Sequence, residues 1–196
     1  MKFHGGDGRN HLCGKCIVRP PDAGRVRAAG MYAGVMKEAV HLLKYSGRIS
    51  LAQPLGILML DAYRRYFPDL DRPLLVPIPL HSTKLRERGF NQSFVLSQNL
   101  CRRILSETGG DVRLLIDCHC LVRFRRTPSQ TDFSVEQRKR NVKDAFRVAK
   151  PDHIRGRCVV LVDDVYTTGA TCTEAGRMLL KAGAESVDTL VAARAF

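Results

Sequence analysis

The feature that most constrains this chain is the run Val159-Val160-Leu161-Val162-Asp163-Asp164, continued by Val165-Tyr166-Thr167-Thr168-Gly169-Ala170-Thr171. An unbroken apolar run leaves no side for solvent, so it predicts a parallel strand buried on both faces. Two adjacent acids close the strand, and a hydroxyl- and glycine-rich turn follows. Ala175, Met178, Leu179 and Ala182 then share one helical face, with Gly183 placed to end the helix. Thr171 and Glu174 match a capping box, which predicts a helix start capped by that threonine. Strand, polar turn and helix together form the arrangement in which α/β folds hold ligands at the carboxyl ends of strands.

The residue types fit a sugar phosphate. Backbone N–H groups from Thr167 to Thr171, at the positive end of the coming helix, suit a dianionic phosphate. Gly169 lets the main chain approach closely, and the hydroxyls of Thr168 and Thr171 can donate. Asp163 and Asp164 repel phosphate but accept hydrogen bonds from neighbouring sugar hydroxyls. Each such charge-assisted bond is worth roughly 1.5–3 kcal/mol. Acids for a diol beside a turn for a phosphate describe a 5-phosphoribosyl group.

This stretch resembles the phosphoribosyl-pyrophosphate (PRPP) motif of type I phosphoribosyltransferases, and the whole chain resembles the ComF family within them. The resemblance implies an α/β fold of that type, with a central parallel sheet flanked by helices. It places the 5-phosphate on Thr167, Thr168, Gly169, Ala170 and Thr171, and the diol on Asp163 and Asp164. It further implies Mg²⁺ bound with PRPP, and displacement of pyrophosphate from C1 by an acceptor that no residue identifies. Tyr166 departs from the pattern, standing where many relatives carry a smaller aliphatic residue.

Two basic segments extend the resemblance. His81-Ser82-Thr83-Lys84-Leu85-Arg86-Glu87-Arg88-Gly89-Phe90-Asn91-Gln92 is similar to the family's pyrophosphate loop, which assigns His81, Lys84, Arg86 and Arg88 to the leaving group. Arginine suits that task because its planar fork grips phosphate oxygens in pairs. Without the resemblance, the same residues read as a solvated basic helix start. Arg123 to Thr131, followed by Arg138 to Val142, resembles the loop that closes over PRPP, with Arg125 and Arg126 arriving on closure. By composition alone it is a long, proline-broken basic connection.

The remaining segments read as scaffold. Met36, Ala39, Val40 and Leu43 predict a helix ending at Tyr45-Ser46-Gly47, and Leu42-Leu43-Lys44-Tyr45-x-Gly47 resembles the family's segment before the core; Lys44 reads as a solvated helix-end lysine, with contact to ligand as the alternative. Leu55, Leu58, Met59, Ala62 and Tyr66 predict a second helix, opened by Ser50 with Pro54 in its first turn. Leu74 to Leu80 is a short strand whose prolines end it early. Leu96, Leu100 and Ile104 predict a helix, Leu114 to Phe124 a strand with Cys118 and Cys120 in the core, Ala145 to Val148 an edge strand, and Val187 to Ala193 the last strand.

Cys13-Gly14-Lys15-Cys16 has zinc-knuckle spacing, although a closed site needs four ligands. His4 and His11, or a second chain, could supply the rest, so Cys13 and Cys16 are candidate Zn²⁺ ligands in an N-terminal remnant. The 196 residues thus divide into a remnant and linker over 1–24 and a phosphoribosyltransferase-like domain over 25–196. Seven cysteines without a disulfide-scaffold spacing predict reduced thiols and a cytoplasmic setting. No apolar run is long enough to insert in a membrane, and the start lacks a signal peptide's apolar core. The net charge of +13 predicts polyanionic partners. Three classes follow: a phosphoribosyltransferase, a competence protein that handles single-stranded DNA alongside the uptake machinery, and a regulator that senses PRPP.

Overall fold

The computed structural model describes residues 24–70, 73–108, 116–127 and 135–195. Along them lie six strands and six α-helices: β1 (Val26–Met31), α1 (Gly34–Tyr45), α2 (Ala52–Tyr66), β2 (Leu74–Pro77), α3 (Ser82–Arg88), α4 (Gln92–Thr108), β3 (Leu121–Arg123), α5 (Val135–Val142), β4 (Phe146–Val148), β5 (Cys158–Tyr166), α6 (Ala170–Lys181) and β6 (Ser186–Arg194). Four strands form a parallel sheet in the order β1-β6-β5-β2. Ile116 adds one parallel bridge to Leu75 on the outer side of β2.

The central position of β5 follows from its sequence. Val160 and Val162 lie in a core with Val40, Leu43, Met59, Leu96 and Leu100, contributed by α1, α2 and α4. Val159 and Leu161 lie in a second core with Ala175 and Leu179 of α6 and with Leu121, Phe146 and Ile154. Alternate side chains therefore meet different layers, and the strand has no wet face. Burying each such residue stabilises the fold by roughly 1.5–3 kcal/mol. Leu161, fully buried, would cost roughly 2–5 kcal/mol if cut to alanine.

Several expected elements change in detail. β1 is a strand that the sequence reading did not assign; it pairs with β6 and is anchored by Arg25, which ion-pairs Asp188 at 2.7 Å. In α2 the outward position falls to Leu58, 44% exposed, while Tyr63 takes the inward one. The basic segment after β2 is the helix α3, closed by Gly89 at φ +80. Of the stretch expected as a strand, residues 116–124 are described, and among them Leu121–Arg123 form a strand; Cys120 is buried and Cys118 half-buried. β4 pairs antiparallel with β3 in a separate two-stranded sheet, so it is not an edge of the main one. Part of the expected closing loop is the helix α5. The proposed zinc remnant falls on residues outside those described. Among the described residues no helix is long and apolar enough to cross a membrane.

Candidate functional site

Asp163 and Asp164 sit at the carboxyl end of β5, and both are buried. Asp163 accepts two hydrogen bonds on Oδ1, from Ser93 Oγ at 2.8 Å and from the Asp164 N–H at 2.9 Å. Asp164 accepts the Val165 N–H on Oδ1 at 2.7 Å. Its Oδ2 has no hydrogen bond of ordinary geometry and faces the Lys44 ammonium at 2.9 Å instead. Lys44 is therefore not a solvated helix-end lysine; it crosses from α1 to the acid pair. Burial works to lower its pKa, but Asp164 more than offsets that and holds it above the usual lysine value. Burial, and next the charge of Asp164, push the Asp163 carboxyl up to about 7.

Ser93 reaches Asp163 because Asn91 begins α4 in a fixed place. Asn91 Oδ1 accepts the N–H groups of Ser93 at 3.0 Å and Phe94 at 3.4 Å, while its amide donates to the Ile78 carbonyl at 3.0 Å. One side chain thus caps α4 and ties it to the end of β2.

The turn 167–171 wraps the mouth of a small cup that Asp163 also lines. Gly169 stands at the N-cap of α6 with φ +75, a conformation that costs other residues roughly 1–2 kcal/mol. A β-carbon there would lie 2.0 Å from the Tyr166 hydroxyl, so the tyrosine ring rests directly on the glycine. The Arg194 guanidinium lies 5.3 Å from that ring's centre. The capping box does not form. The helix is capped at Gly169 and begins at Ala170, so Thr171 already lies inside it, and Glu174 instead accepts the Asp144 N–H at 2.8 Å and pairs with Arg177. Thr168 Oγ1 faces the Ala170 N–H at 3.5 Å, and Thr167 is exposed.

A basic cleft of about 260 Å³ adjoins the acids, lined by Lys44, Tyr45, Gly47, Lys84, Glu87, Arg88 and Phe90. Burial and the neighbouring charges of Arg123 and Arg88 hold Lys84 below its usual pKa. Arg88 stacks over Tyr45 at 5.5 Å and donates to Gln92. Arg123 is a further cation that the sequence reading did not single out. It is held below its usual pKa by burial, is drawn by the charge of Asp163, and lies 5.4 Å from the Phe146 ring centre.

The structure brings together some of the expected anion-binding residues and not others. Lys84 and Arg88 line the cleft, whereas Arg86 is exposed on α3 outside its lining. His81 is the N-cap of α3, its Nδ1 accepting the Thr83 N–H at 3.3 Å. Arg125 donates to the carbonyls of Asn141, at 2.9 Å, and Lys143, binding the end of α5, and Arg126 is exposed. Cys13 and Cys16 lie outside the described residues. Among those described, no three metal-ligating side chains cluster. Two acids, one already paired with a lysine, are too few to hold Mg²⁺ by protein groups alone. They do suit a Mg²⁺ held chiefly by phosphate oxygens and water.

The comparisons agree with this architecture. The family model described as "Phosphoribosyl transferase domain" matches residues 93–195, beginning at the serine that holds Asp163. The chain is 37% identical over 182 residues to the DNA utilization protein YhgH of Escherichia coli (strain K12), covering 91% of this chain and 76% of that protein. It is 30% identical over 188 residues to Competence protein F of Haemophilus influenzae, with 93% and 78% covered. To Competence protein ComFC of Bacillus subtilis it is 28% identical over 157 residues, with 80% and 58% covered. Fold and matched domain define a phosphoribosyltransferase-type protein. Within that superfamily of type I enzymes, the chain belongs to the ComF family.

Proposed function

We propose that this protein binds PRPP with Mg²⁺ and acts in competence-related DNA handling, transferring the phosphoribosyl group to an acceptor as yet unidentified. The observation that carries the reading is the buried acid pair on β5, set beside the threonine- and glycine-built turn and joined through Lys44 to a basic cleft. The turn 167–171 receives the 5-phosphate on backbone N–H groups at the start of α6. Asp163 and Asp164 accept the ribose hydroxyls. Lys84 and Arg88 face the pyrophosphate, and Arg125 and Arg126 reach it on closure of their segment. Mg²⁺, when bound with the substrate, neutralises pyrophosphate charge, and Asp163 and Asp164 are the residues that would face it. The chain itself needs no covalent nucleophile: it holds both ends of the sugar, stabilises the leaving charge and excludes water.

The role in DNA handling rests on relatives named for DNA utilization and competence, and on the net charge of +13. That charge also favours a second reading, in which the chain binds single-stranded DNA without turning PRPP over.

Calorimetric titration with PRPP, with and without Mg²⁺, tests the binding; release of pyrophosphate separates an enzyme from a PRPP sensor. No heat of binding under either condition would end the first reading. A steep salt dependence of single-stranded DNA binding, unaltered in Asp163 and Asp164 variants, would support the second.

A further inference from the structure

The turn, the acid pair and the basic cleft adjoin one another at the mouth of the sheet, and Lys44 belongs to two of the three. Its ammonium lies 2.9 Å from Asp164 Oδ2, and its side chain lines the cleft beside Lys84 and Arg88. The lysine is 19% exposed and its partner 4%, so the pair is largely out of water. A lysine serving only the dipole of α1 would have no reason to reach another element.

Resting on the PRPP reading above, we propose that Lys44 is the resident cation of this site. In the free protein it satisfies Asp164 and keeps a divalent ion off the acid pair. On loading it turns to the pyrophosphate and leaves Asp164 to accept the sugar hydroxyls. Three features support the exchange. Among the described residues Asp164 Oδ2 is engaged by the Lys44 ammonium, at 2.9 Å, and by no further hydrogen bond, so moving one cation frees this oxygen. A lysine is a compact charge on a flexible stem, able to move between neighbouring anions. The cleft it would turn into already holds two cations and lies within its reach.

The test uses Lys44→Met and Lys44→Arg, each checked by thermal melting. Inorganic pyrophosphate and ribose 5-phosphate are titrated without metal, and Mn²⁺ is titrated alone. The proposal expects Lys44→Met to bind metal-free pyrophosphate about tenfold or more weakly. Ribose 5-phosphate should bind no worse, and Lys44→Arg should restore pyrophosphate binding. It also expects Lys44→Met to gain a Mn²⁺ site that wild type lacks and that Lys44→Met/Asp164→Asn loses again. Equal loss on both ligands, or none, would overturn the exchange. Identical Mn²⁺ binding in wild type and Lys44→Met would overturn the resident-cation role. Wild type binding neither phosphorylated ligand would instead refute the PRPP reading, and the Mn²⁺ arm would still decide the role of Lys44. Should Lys44→Met fail to fold, Lys44→Gln takes its place in every arm.

Discussion

Replacing Asp163 by Asn should alter how stability depends on pH. Burial and the charge of Asp164 hold the Asp163 carboxyl up to about 7, against about 3.9 in an unfolded chain. Between those values the folded protein keeps a proton that the unfolded chain has released. The unfolded state then binds fewer protons, so this group's contribution to stability falls as pH rises from about 4 to about 7 and is flat above. One whole proton corresponds to a slope of about 1.4 kcal/mol per pH unit. Asparagine cannot titrate, yet its carbonyl oxygen can still accept from Ser93 Oγ and from the Asp164 N–H, so the fold keeps both contacts. Urea unfolding of both proteins at several pH values between about 5 and 8 measures the effect. The stability of Asp163→Asn relative to wild type should rise by about 2 kcal/mol from pH 5 to pH 7 and then level off. Titrations of groups that do not interact with Asp163 cancel in that difference. A constant difference, or a fall, would refute the burial argument.

Gly169→Ala combines a left-handed backbone with a contact 2.0 Å from the Tyr166 hydroxyl. It should cost at least about 1–2 kcal/mol by thermal melting and weaken ribose 5-phosphate binding; an unchanged melt would mean the turn can rearrange freely. Arg125→Ala with Arg126→Ala should reduce affinity for pyrophosphate more than for ribose 5-phosphate, and equal losses would remove both arginines from the leaving-group side. Zinc in protein purified without chelator should follow Cys13 and Cys16, disappearing in Cys13→Ser. Metal-free wild type would end that assignment.

How far the sequence is legible depends on whether a feature is local. The strand β5, its double burial and the turn after it depend on residues within a short stretch, and their pattern predicted them. Lys44 could not be assigned this way. Its partner Asp164 is distant in the chain, and from α1 alone it is one more cation at a helix end. Ser93 and Arg123 share that obscurity, since each gains its role only when α4 and β3 pack against β5. The strand β1 escaped because Val26-Arg27-Ala28-Ala29-Gly30-Met31 carries little of the bulk that marks a core strand; pairing with β6 and the Arg25 anchor define it instead. The Thr171–Glu174 box failed because the tight turn at Gly169 started the helix earlier and left Glu174 for Asp144 and Arg177. Resemblance alone assigns His81 to the leaving group; its place as the N-cap of α3 depends on the backbone after β2 and is not read from the sequence.

Titration of PRPP with Mg²⁺ into wild type and Asp164→Asn, beside a parallel titration of inorganic pyrophosphate, tests the role of the acid pair most directly. PRPP affinity should fall about tenfold or more, since a charge-assisted bond to the diol is lost, while pyrophosphate affinity should not fall. Equal PRPP affinity in the two proteins would contradict the account.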